Sequence, residues 1–348
     1  MSKRICLFVG SATAFNVRQT LQGIGQALES TVDLDLVTTS EELTTDLASL
    51  YDVYGTGQPA SLQGRVRALE TYLTTHRPAC MMNVSRPPIQ GNITGVLARW
   101  HGVPFIYRYS GDRFHVHRLA TTLGRQAKWY ALNNIVGYVP LRLASHYVAL
   151  GPVGKRRLEN QGVPSKAITI LPPPVDPERF SPTGPVANLD HPPNRKVVLF
   201  VGRRSRLKGI DTIEQVIPEI LGRRSDLQFV FVGGGRDLDT SVANCDHVTV
   251  VGPVPPAEMP SYYRAADVLI HPSLTESFGR VLVEALLCGT PVVARRAGEL
   301  PSITSNLIST PEELIDTLCQ LEELTVDNPA RFTPEELKPR YAEFFERF

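Results

Sequence analysis

Short apolar segments alternate with longer amphipathic segments along most of the chain. A short apolar run predicts a buried strand, and apolar positions spaced three and four residues apart predict a helix. Helical patterns such as those at 17–28 and 62–74 lie between runs that predict ten strands, at 5–9, 34–37, 80–84, 105–109 and 146–150, and then at 197–201, 228–232, 248–251, 268–271 and 291–294. This alternation predicts an α/β architecture with a parallel sheet in each half.

A proline-rich segment separates the two groups of strands. Five prolines lie between residues 172 and 182, and a second cluster follows at 185–193. Proline fixes φ and removes a backbone donor, so a regular element is excluded here and a semi-rigid connection is expected. We therefore predict a first domain at 1–171, a linker at 172–194, a second domain at 195–328, and a C-terminal helix at 329–348 with Thr333 as its N-cap.

Composition narrows the class of protein. A length of 348 residues suits two domains, and 42% hydrophobic with 20% charged residues is typical of a soluble globular enzyme. A net charge of +1 argues against a nucleic-acid partner. No apolar run reaches the roughly 18 residues that span a bilayer. The five cysteines are scattered and form no Cys-x-x-Cys pair, which predicts reduced thiols and a cytoplasmic protein.

Two carboxylates flank a predicted turn-to-helix junction in residues 270–294. Glu276 and Glu284 are eight residues apart. If the helix begins near Ser277, a rise of about 1.5 Å per residue separates them by roughly 12 Å along its axis. The free amides of Phe278 and Gly279 at the helix start suit an anion. A nucleotide-sugar has this shape, with hydroxyls at both ends and a diphosphate between. On spacing alone, two solvated glutamates in an ordinary strand–helix–strand unit are the better explanation of the pattern.

A basic, glycine-bounded loop follows the strand at 197–201. Its sequence is Gly-Arg-Arg-Ser-Arg-Leu-Lys-Gly, and it presents Arg203 and Lys208. Arginine offers a planar fork and lysine a point charge, which together suit a diphosphate. A solvated basic loop is the alternative. The next strand ends in Gly233 and Gly234, where backbone can approach a ligand closely.

These motifs resemble those of a known family. The 270–294 segment, with Ser-Phe-Gly before its helix and Gly-Thr-Pro-Val-Val-Ala after it, resembles the donor-site signature of the retaining nucleotide-sugar glycosyltransferases of group 1 (family 4, the glycogen-synthase and bacterial mannosyltransferase type). The 202–209 loop resembles the family pattern Gly-Arg-x-x-x-x-Lys-Gly. The resemblance implies the GT-B fold, an α/β architecture of two doubly wound Rossmann-like domains with an interdomain cleft. In such enzymes the last helix often crosses back onto the first domain.

The resemblance also implies roles for individual residues. Arg203 and Lys208 would stabilise the departing diphosphate, Glu276 would hold the sugar hydroxyls, and Glu284 would hold the ribose. The segment around Val254 would contact the nucleobase through its backbone. The predicted donor-binding set is completed by Gly202, Gly233, Gly234, Ser277, Phe278 and Gly279.

The first domain departs from the family pattern. Many relatives carry a histidine after the strand corresponding to 105–109, where this chain has Ser110 or Gly111. Loops at strand ends commonly hold functional residues, so we predict Ser11, Arg108 and Ser110 on the acceptor side, with Asp112 orienting the acceptor. A structural role is the alternative for Arg108 and Asp112.

The resemblance thus implies a retaining, metal-independent hexosyltransferase without a cofactor. Its donor would be a nucleotide-diphosphate sugar, and its acceptor the hydroxyl of a glycan, a lipid-linked sugar or a small molecule. Two Asp-x-Asp pairs, at 33/35 and 237/239, lack the setting of a metal site, and the positive charge of the basic loop and helix start replaces a metal. The alternatives are a non-catalytic GT-B partner subunit and another GT-B enzyme such as a nucleotide-sugar epimerase.

A basic and aromatic segment in the first domain fits no part of this site. Residues 124–144 contain Arg125, Lys128, Trp129, Tyr130 and Arg142 among apolar residues. Such a segment predicts either peripheral contact with the cytosolic face of a membrane or a partly buried helix.

Overall fold

A computed structural model describes residues 3–10, 15–85, 87–111 and 113–348. The chain forms two compact units. The first comprises residues up to 174 together with Phe332–Phe348, and the second comprises Val175–Arg331. Within the described ranges, no helix is long and apolar enough to cross a bilayer.

The first unit contains a seven-stranded parallel sheet covered by helices. Its strand order is β3-β2-β1-β4-β5-β6-β7. The strands are β1 (Arg4–Gly10), β2 (Asp33–Thr38), β3 (Asp52–Tyr54), β4 (Cys80–Asn83), β5 (Phe105–Tyr109), β6 (His146–Ala149) and β7 (Ile168–Ile170). The helices of residues up to 174 are α1 (Phe15–Leu28), α2 (Glu42–Leu47), α3 (Leu62–Thr75), α4 (Pro87–Trp100), α5 (Leu123–Tyr130), α6 (Tyr138–Leu143) and α7 (Pro152–Glu159).

Strand β1 lies at the centre of this sheet. Its residues Ile5–Val9 are fully buried, because helices cover both faces of a parallel sheet. It pairs with β2 on one side and β4 on the other. The winding direction of the chain reverses between β1 and β4, which makes their carboxyl ends a topological switch point, where open α/β sheets bind ligands.

The last helix, α13 (Pro334–Phe345), packs in the first unit. It buries Leu337, Tyr341, Phe344 and Phe345 in the same core as β1. The Tyr341 hydroxyl donates a hydrogen bond of 3.1 Å to the carbonyl of Pro172. Residues from the far end of the chain therefore complete the first core.

The second unit contains a six-stranded parallel sheet of order β10-β9-β8-β11-β12-β13. Its strands are β8 (Lys196–Val201), β9 (Leu227–Val232), β10 (Val248–Gly252), β11 (Val268–His271), β12 (Val292–Arg295) and β13 (Leu307–Ile308). Its helices are α8 (Ile210–Arg223), α9 (Thr240–Ala243), α10 (Met259–Arg264), α11 (Arg280–Leu287) and α12 (Pro311–Cys319). The switch point lies between β8 and β11.

All ten predicted strands are present, with ends within one residue of the prediction. The structure adds three short strands, β3, β7 and β13, whose two or three residues are too few to show a pattern. The helix expected to begin near Ser277 begins at Arg280, because Gly279 is its N-cap in a left-handed conformation. Part of the predicted linker packs on the second unit, where Arg264 donates to the carbonyls of Ser181 and Pro185.

Candidate functional site

Two loops meet at the switch point of the second sheet. The loop after β8 contains Lys208, and the loop after β11 contains Glu276. Leu207 joins them, because its carbonyl accepts hydrogen bonds from the backbone N–H of Leu274 (2.9 Å) and the hydroxyl of Ser273 (3.0 Å). Residues 68 positions apart in sequence are thereby held side by side.

Three groups hold the Glu276 carboxylate. The Lys208 ammonium lies 2.5 Å from Oε2, and Nε2 of His271 lies 3.2 Å from the same oxygen. The backbone N–H of Ser277 donates to Oε1 at 3.1 Å. The structure therefore brings together Lys208, Glu276 and Ser277 from the predicted set and adds His271, which the sequence analysis did not select.

Electrostatics fix the charges of this cluster. Burial acts to raise the pKa of Glu276, but the Lys208 ammonium and the hydrogen bond to His271 outweigh it and hold the pKa well below its usual value. Burial is also the main cause that lowers the pKa of His271. At neutral pH the cluster therefore holds a carboxylate and a neutral imidazole beside Lys208.

Two adjacent arginines in the loop after β8 have different surroundings. Arg203 is exposed at the end of the strand. Arg204 is buried, and it donates to the carbonyls of Gly233 and of Arg236, the latter at 2.9 Å. A Cβ added to Gly233 would lie 2.2 Å from the carbonyl oxygen of Gly202. Close contact between the backbones of the β8 and β9 loops thus requires glycine at 233.

Glu284 is one of the buried residues of the predicted donor-site set. It faces inward from α11 and is 4% exposed, and the Tyr263 hydroxyl donates to its Oε2 at 2.8 Å. Burial, together with the nearby Glu284, raises the pKa of Tyr263, which keeps the phenol protonated. Phe278 is also buried, whereas Val254 and Gly234 are partly exposed. The role of Glu284 toward a ribose stays a prediction.

A third loop, after β12, supports Glu276. A Cβ on Gly298 would lie 1.9 Å from the carbonyl oxygen of Glu276, and the N–H of Glu299 donates to that oxygen at 3.3 Å. Sequence reasoning missed Gly298 because nothing in the sequence shows which loop it meets. His271 carried a signal, since it is a polar residue at the carboxyl end of a buried strand.

The predicted acceptor-side residues have different surroundings. Arg108 is buried and donates to the carbonyl of Val84 at 2.9 Å. Ser110 is partly exposed, and its carbonyl accepts a hydrogen bond from Arg113 at 3.1 Å. Ser11 and Asp112 lie outside the described residues.

Buried polar side chains gather at the switch point of the first sheet. Asn83 ends β4, Ser85 follows it, and Gln90 lies on α4 against Gly10 at the end of β1. All three side chains are buried, and within the described ranges their polar atoms have no hydrogen-bond partner. An unsatisfied buried polar group costs about 1–3 kcal/mol, so these positions suit the hydroxyl groups of a ligand.

Neither Asp-x-Asp pair forms a recognisable metal site. Asp35 is buried on β2, 3.1 Å from Arg4, and accepts a hydrogen bond from Tyr72. Asp239 lies 4.0 Å from Arg236. Across the part of the chain that the structure describes, no cluster of three or more His, Cys, Asp or Glu side chains is placed to bind a metal ion.

The second unit matches a protein-family model over residues 195–323, described as Glycosyl transferases group 1. The D-inositol 3-phosphate glycosyltransferase of Corynebacterium jeikeium (strain K411) is 34% identical over 213 residues, which cover 54% of this chain and 50% of that relative. The chain spans about half the length, or less, of the curated relatives it matches.

Two solved structures match almost the whole chain. Anabaena HepE in complex with UDP and glucose has a TM-score of 0.74 at 18% identity, covering 99% of this chain and 100% of that chain. Sucrose-phosphate synthase from Thermosynechococcus elongatus has a TM-score of 0.74 at 20% identity, covering 99% and 98%. These matches show the fold and confirm the two predicted α/β domains of the GT-B type. Residues 195–323, which form most of the second unit, are therefore similar to the group 1 glycosyl transferases.

Proposed function

We propose that this protein transfers a hexose from a nucleotide-diphosphate sugar to an acceptor hydroxyl, with retention of configuration and without a metal ion. The observation that carries the proposal is the Lys208–Glu276–His271 cluster at the switch point between β8 and β11, inside the residues that match the family. A fixed carboxylate beside a cation suits a ligand in which sugar hydroxyls adjoin a diphosphate.

The charges of the cluster support this division of tasks. The Glu276 carboxylate is held by Lys208, His271 and a backbone amide, and its lowered pKa makes it a weak base. It is therefore suited to accept hydrogen bonds from sugar hydroxyls and poorly suited to deprotonate an acceptor. Retention by a same-face route, in which a phosphate oxygen takes the acceptor proton, requires no such base.

Leaving-group stabilisation is assigned to cations of the protein. Lys208 is fixed beside Glu276, and Arg203 is exposed on the same loop. Their charge, with the amides before α11, would meet the charge that develops on the diphosphate. The proposed reaction therefore requires no divalent cation.

The acceptor is assigned to the first unit and to the polyhydroxylated class. The unsatisfied side chains of Asn83, Ser85 and Gln90 offer several hydrogen bonds at one switch point. A relative named for D-inositol 3-phosphate supports a polyol acceptor, either free or within a glycan or lipid-linked sugar. Asp112, Ser11 and Ser110 stay predicted contacts of this acceptor. The five free thiols support a cytoplasmic setting.

The test combines a donor panel with product analysis. UDP-, GDP- and ADP-sugars are incubated with the enzyme and polyol acceptors, with and without EDTA, and nucleotide diphosphate release is measured. We expect one donor class to react in EDTA and NMR of the initial product to show the donor's anomeric configuration. Loss of transfer in EDTA with rescue by Mn²⁺ would contradict metal independence, and an inverted product would contradict retention.

Glu276→Gln provides the matched variant, since it keeps shape and removes charge. We expect turnover to fall by well over tenfold, while nucleoside diphosphate binding by calorimetry changes little because that ligand does not use the carboxylate. Wild-type turnover in this variant would remove Glu276 from the site. Donor binding without transfer or hydrolysis would indicate a non-catalytic partner subunit, and release of an epimerised sugar would indicate an epimerase.

A further inference from the structure

The overall charge of +1 conceals a strong asymmetry. Residues 71–158 contain twelve Lys and Arg but a single acidic residue, Asp112. The first unit as a whole carries twenty-one Lys and Arg against fourteen Asp and Glu, whereas the second carries fifteen against twenty-one. The first unit therefore has a net charge of +7 and the second of −6. An anionic surface would be attracted to the first unit specifically.

Within this basic region, helix α5 buries none of its residues. Leu123 at its start is 83% exposed, and Tyr130 at its end is also exposed. The chain continues through a π-helical turn, Ala131–Val136, where Ile135 is 62% exposed, and into α6, where Val139 is exposed. Helices of soluble proteins usually turn their apolar stripe to the core, so this arrangement is unusual.

The fold holds this segment in place. Asn92 of α4 donates to the carbonyl of Val136 at 3.0 Å, and Asn134 donates to the carbonyl of Phe114 at 3.4 Å. Pro140 and Leu141 anchor α6 in the protein interior. The apolar side chains are therefore presented outward by a fixed backbone.

Cations lie among the exposed apolar side chains. Arg125 and Lys128 are exposed on α5, and Arg142 on α6 lies over the Tyr138 ring, 4.8 Å from its centroid. No acidic residue occurs between 113 and 158. We call the exposed side chains of residues 123–142 the cationic apolar face.

We propose that the cationic apolar face docks this protein on a bilayer surface that contains anionic lipids. Aliphatic and aromatic side chains would enter the boundary between headgroups and acyl chains, and the cations would meet lipid phosphates. Nucleic acid would satisfy the cations but leave the aliphatic side chains in water, so the bilayer accounts for both features. The inference is independent of the reaction that the second unit carries out.

Tryptophan fluorescence tests this docking directly, because the chain has two tryptophans, Trp100 and Trp129. Trp100→Phe leaves Trp129 on α5 as the sole reporter. With phosphatidylglycerol-containing vesicles we expect a blue shift of its emission and quenching by brominated lipids, and with pure phosphatidylcholine vesicles no change. Unchanged emission on both vesicles would overturn the proposal.

Flotation with vesicles then separates the contributions of charge and apolar contact. Arg125→Gln with Lys128→Gln should weaken partition onto anionic vesicles by about tenfold or more, since each cation near such a surface contributes roughly fivefold. Leu123→Ser with Ile135→Ser should weaken it comparably by removing buried apolar area. Raising salt should weaken wild-type binding and affect the charge variant little.

Matched controls lie on the second unit. Lys196→Gln with Arg223→Gln removes two cations, and Val186→Ser with Val250→Ser removes two exposed aliphatic side chains. Both control variants should partition onto anionic vesicles to the same extent as the wild-type protein. The proposal is overturned if controls and face variants lose equal binding. It is also overturned if the face variants abolish binding to a duplex oligonucleotide or self-association while vesicle binding persists.

Discussion

Glu276 is the residue on which the electrostatics of the candidate site converge. Its two oxygens take a lysine, a histidine and a backbone amide, and its carbonyl is held by the loop after β12. These contacts fix the position of the Glu276 carboxylate and keep it ionised. It can therefore serve as a rigid acceptor of hydrogen bonds, which is the property that recognition of a sugar requires.

His271 is expected to make stability depend on pH. Its pKa is lowered by burial, so between the folded and unfolded pKa values the unfolded chain binds the proton and the folded one does not. Stability present at pH 7 is thus lost as pH falls below about 6.5. His271→Gln should flatten the dependence of the unfolding temperature on pH between 7 and 5.

Glu276 does not contribute to the dependence on pH between 7 and 5, because its lowered pKa affects stability only below the ordinary pKa of a carboxyl group. His191→Gln, in a surface loop, is the control and should keep the wild-type slope. His146 also has a pKa lowered by burial and should account for a residual slope in His271→Gln. An unchanged slope in His271→Gln would contradict burial of a neutral imidazole.

Arg203 and Arg206 provide a matched pair on one loop, both exposed. Arg203→Gln should weaken nucleoside diphosphate binding by about 1.5–3 kcal/mol, because it removes a charge-assisted contact. Arg206 stands at an x position of the pattern Gly-Arg-x-x-x-x-Lys-Gly, so Arg206→Gln should have little effect on nucleoside diphosphate binding. Calorimetry with the nucleoside and its diphosphate measures both. Equal losses for the two ligands, or for the two variants, would show that Arg203 does not contact the diphosphate.

At the scale of elements, the site is built by loops that follow neighbouring parallel strands. The loops after β8, β11 and β12 all leave the carboxyl edge of one sheet. Because these three strands are neighbours, the residues of their loops lie close together. Backbone contacts, at Leu207 and at the carbonyl of Glu276, set the spacing between these loops. The sheet therefore determines where the loops start, and the contacts between loops determine the geometry of the site.

Gly298→Ala tests this contact between loops. Gly298 has a φ of +53°, and an added Cβ would lie 1.9 Å from the Glu276 carbonyl oxygen, so the Glu276 loop must shift. We expect lower donor affinity and turnover together with a lower unfolding temperature. Gly162→Ala has φ +82° and open space around its Cβ, so it should show strain of about 1–2 kcal/mol and normal turnover. Normal turnover in Gly298→Ala would contradict the role of this contact.

At the scale of the molecule, the first unit is discontinuous in sequence. Helix α13 packs on α1, and its Phe344 and Phe345 are fully buried beside β1. The second unit is thus inserted between two parts of the first. Stability of the first unit must depend on the last residues of the chain.

Phe345→Ala is expected to destabilise the first unit by about 3–5 kcal/mol, since it opens a cavity in a closed core. Hydrogen exchange should accelerate in α1 and β1 and stay unchanged in residues 195–323. Arg347→Ala, on an exposed side chain just after the helix, is the control. Acceleration confined to the second unit would contradict the assignment of α13 to the first.

The sequence by itself determined the fold class, most strand positions and which residue types are available at the candidate site. These follow from local patterns: apolar runs of strand length, proline at the linker, and cations and carboxylates directly after strands. Lys208 and Glu276 were selected because the motifs that contain them resemble a family signature, and the structure brings them into contact. Local patterns suffice because a parallel sheet places all its carboxyl ends at one edge.

Only the tertiary structure decided which residues from distant segments meet. It assigned Arg204 to hold the β9 loop, His271 and Gly298 to support Glu276, and Tyr263 to bond with the buried Glu284. The structure also shows that α5 buries none of its side chains, whereas its helical sequence pattern is equally consistent with burial. Contacts between loops and the burial of a helix face depend on how elements pack, and packing is a property of pairs of segments that no single segment encodes.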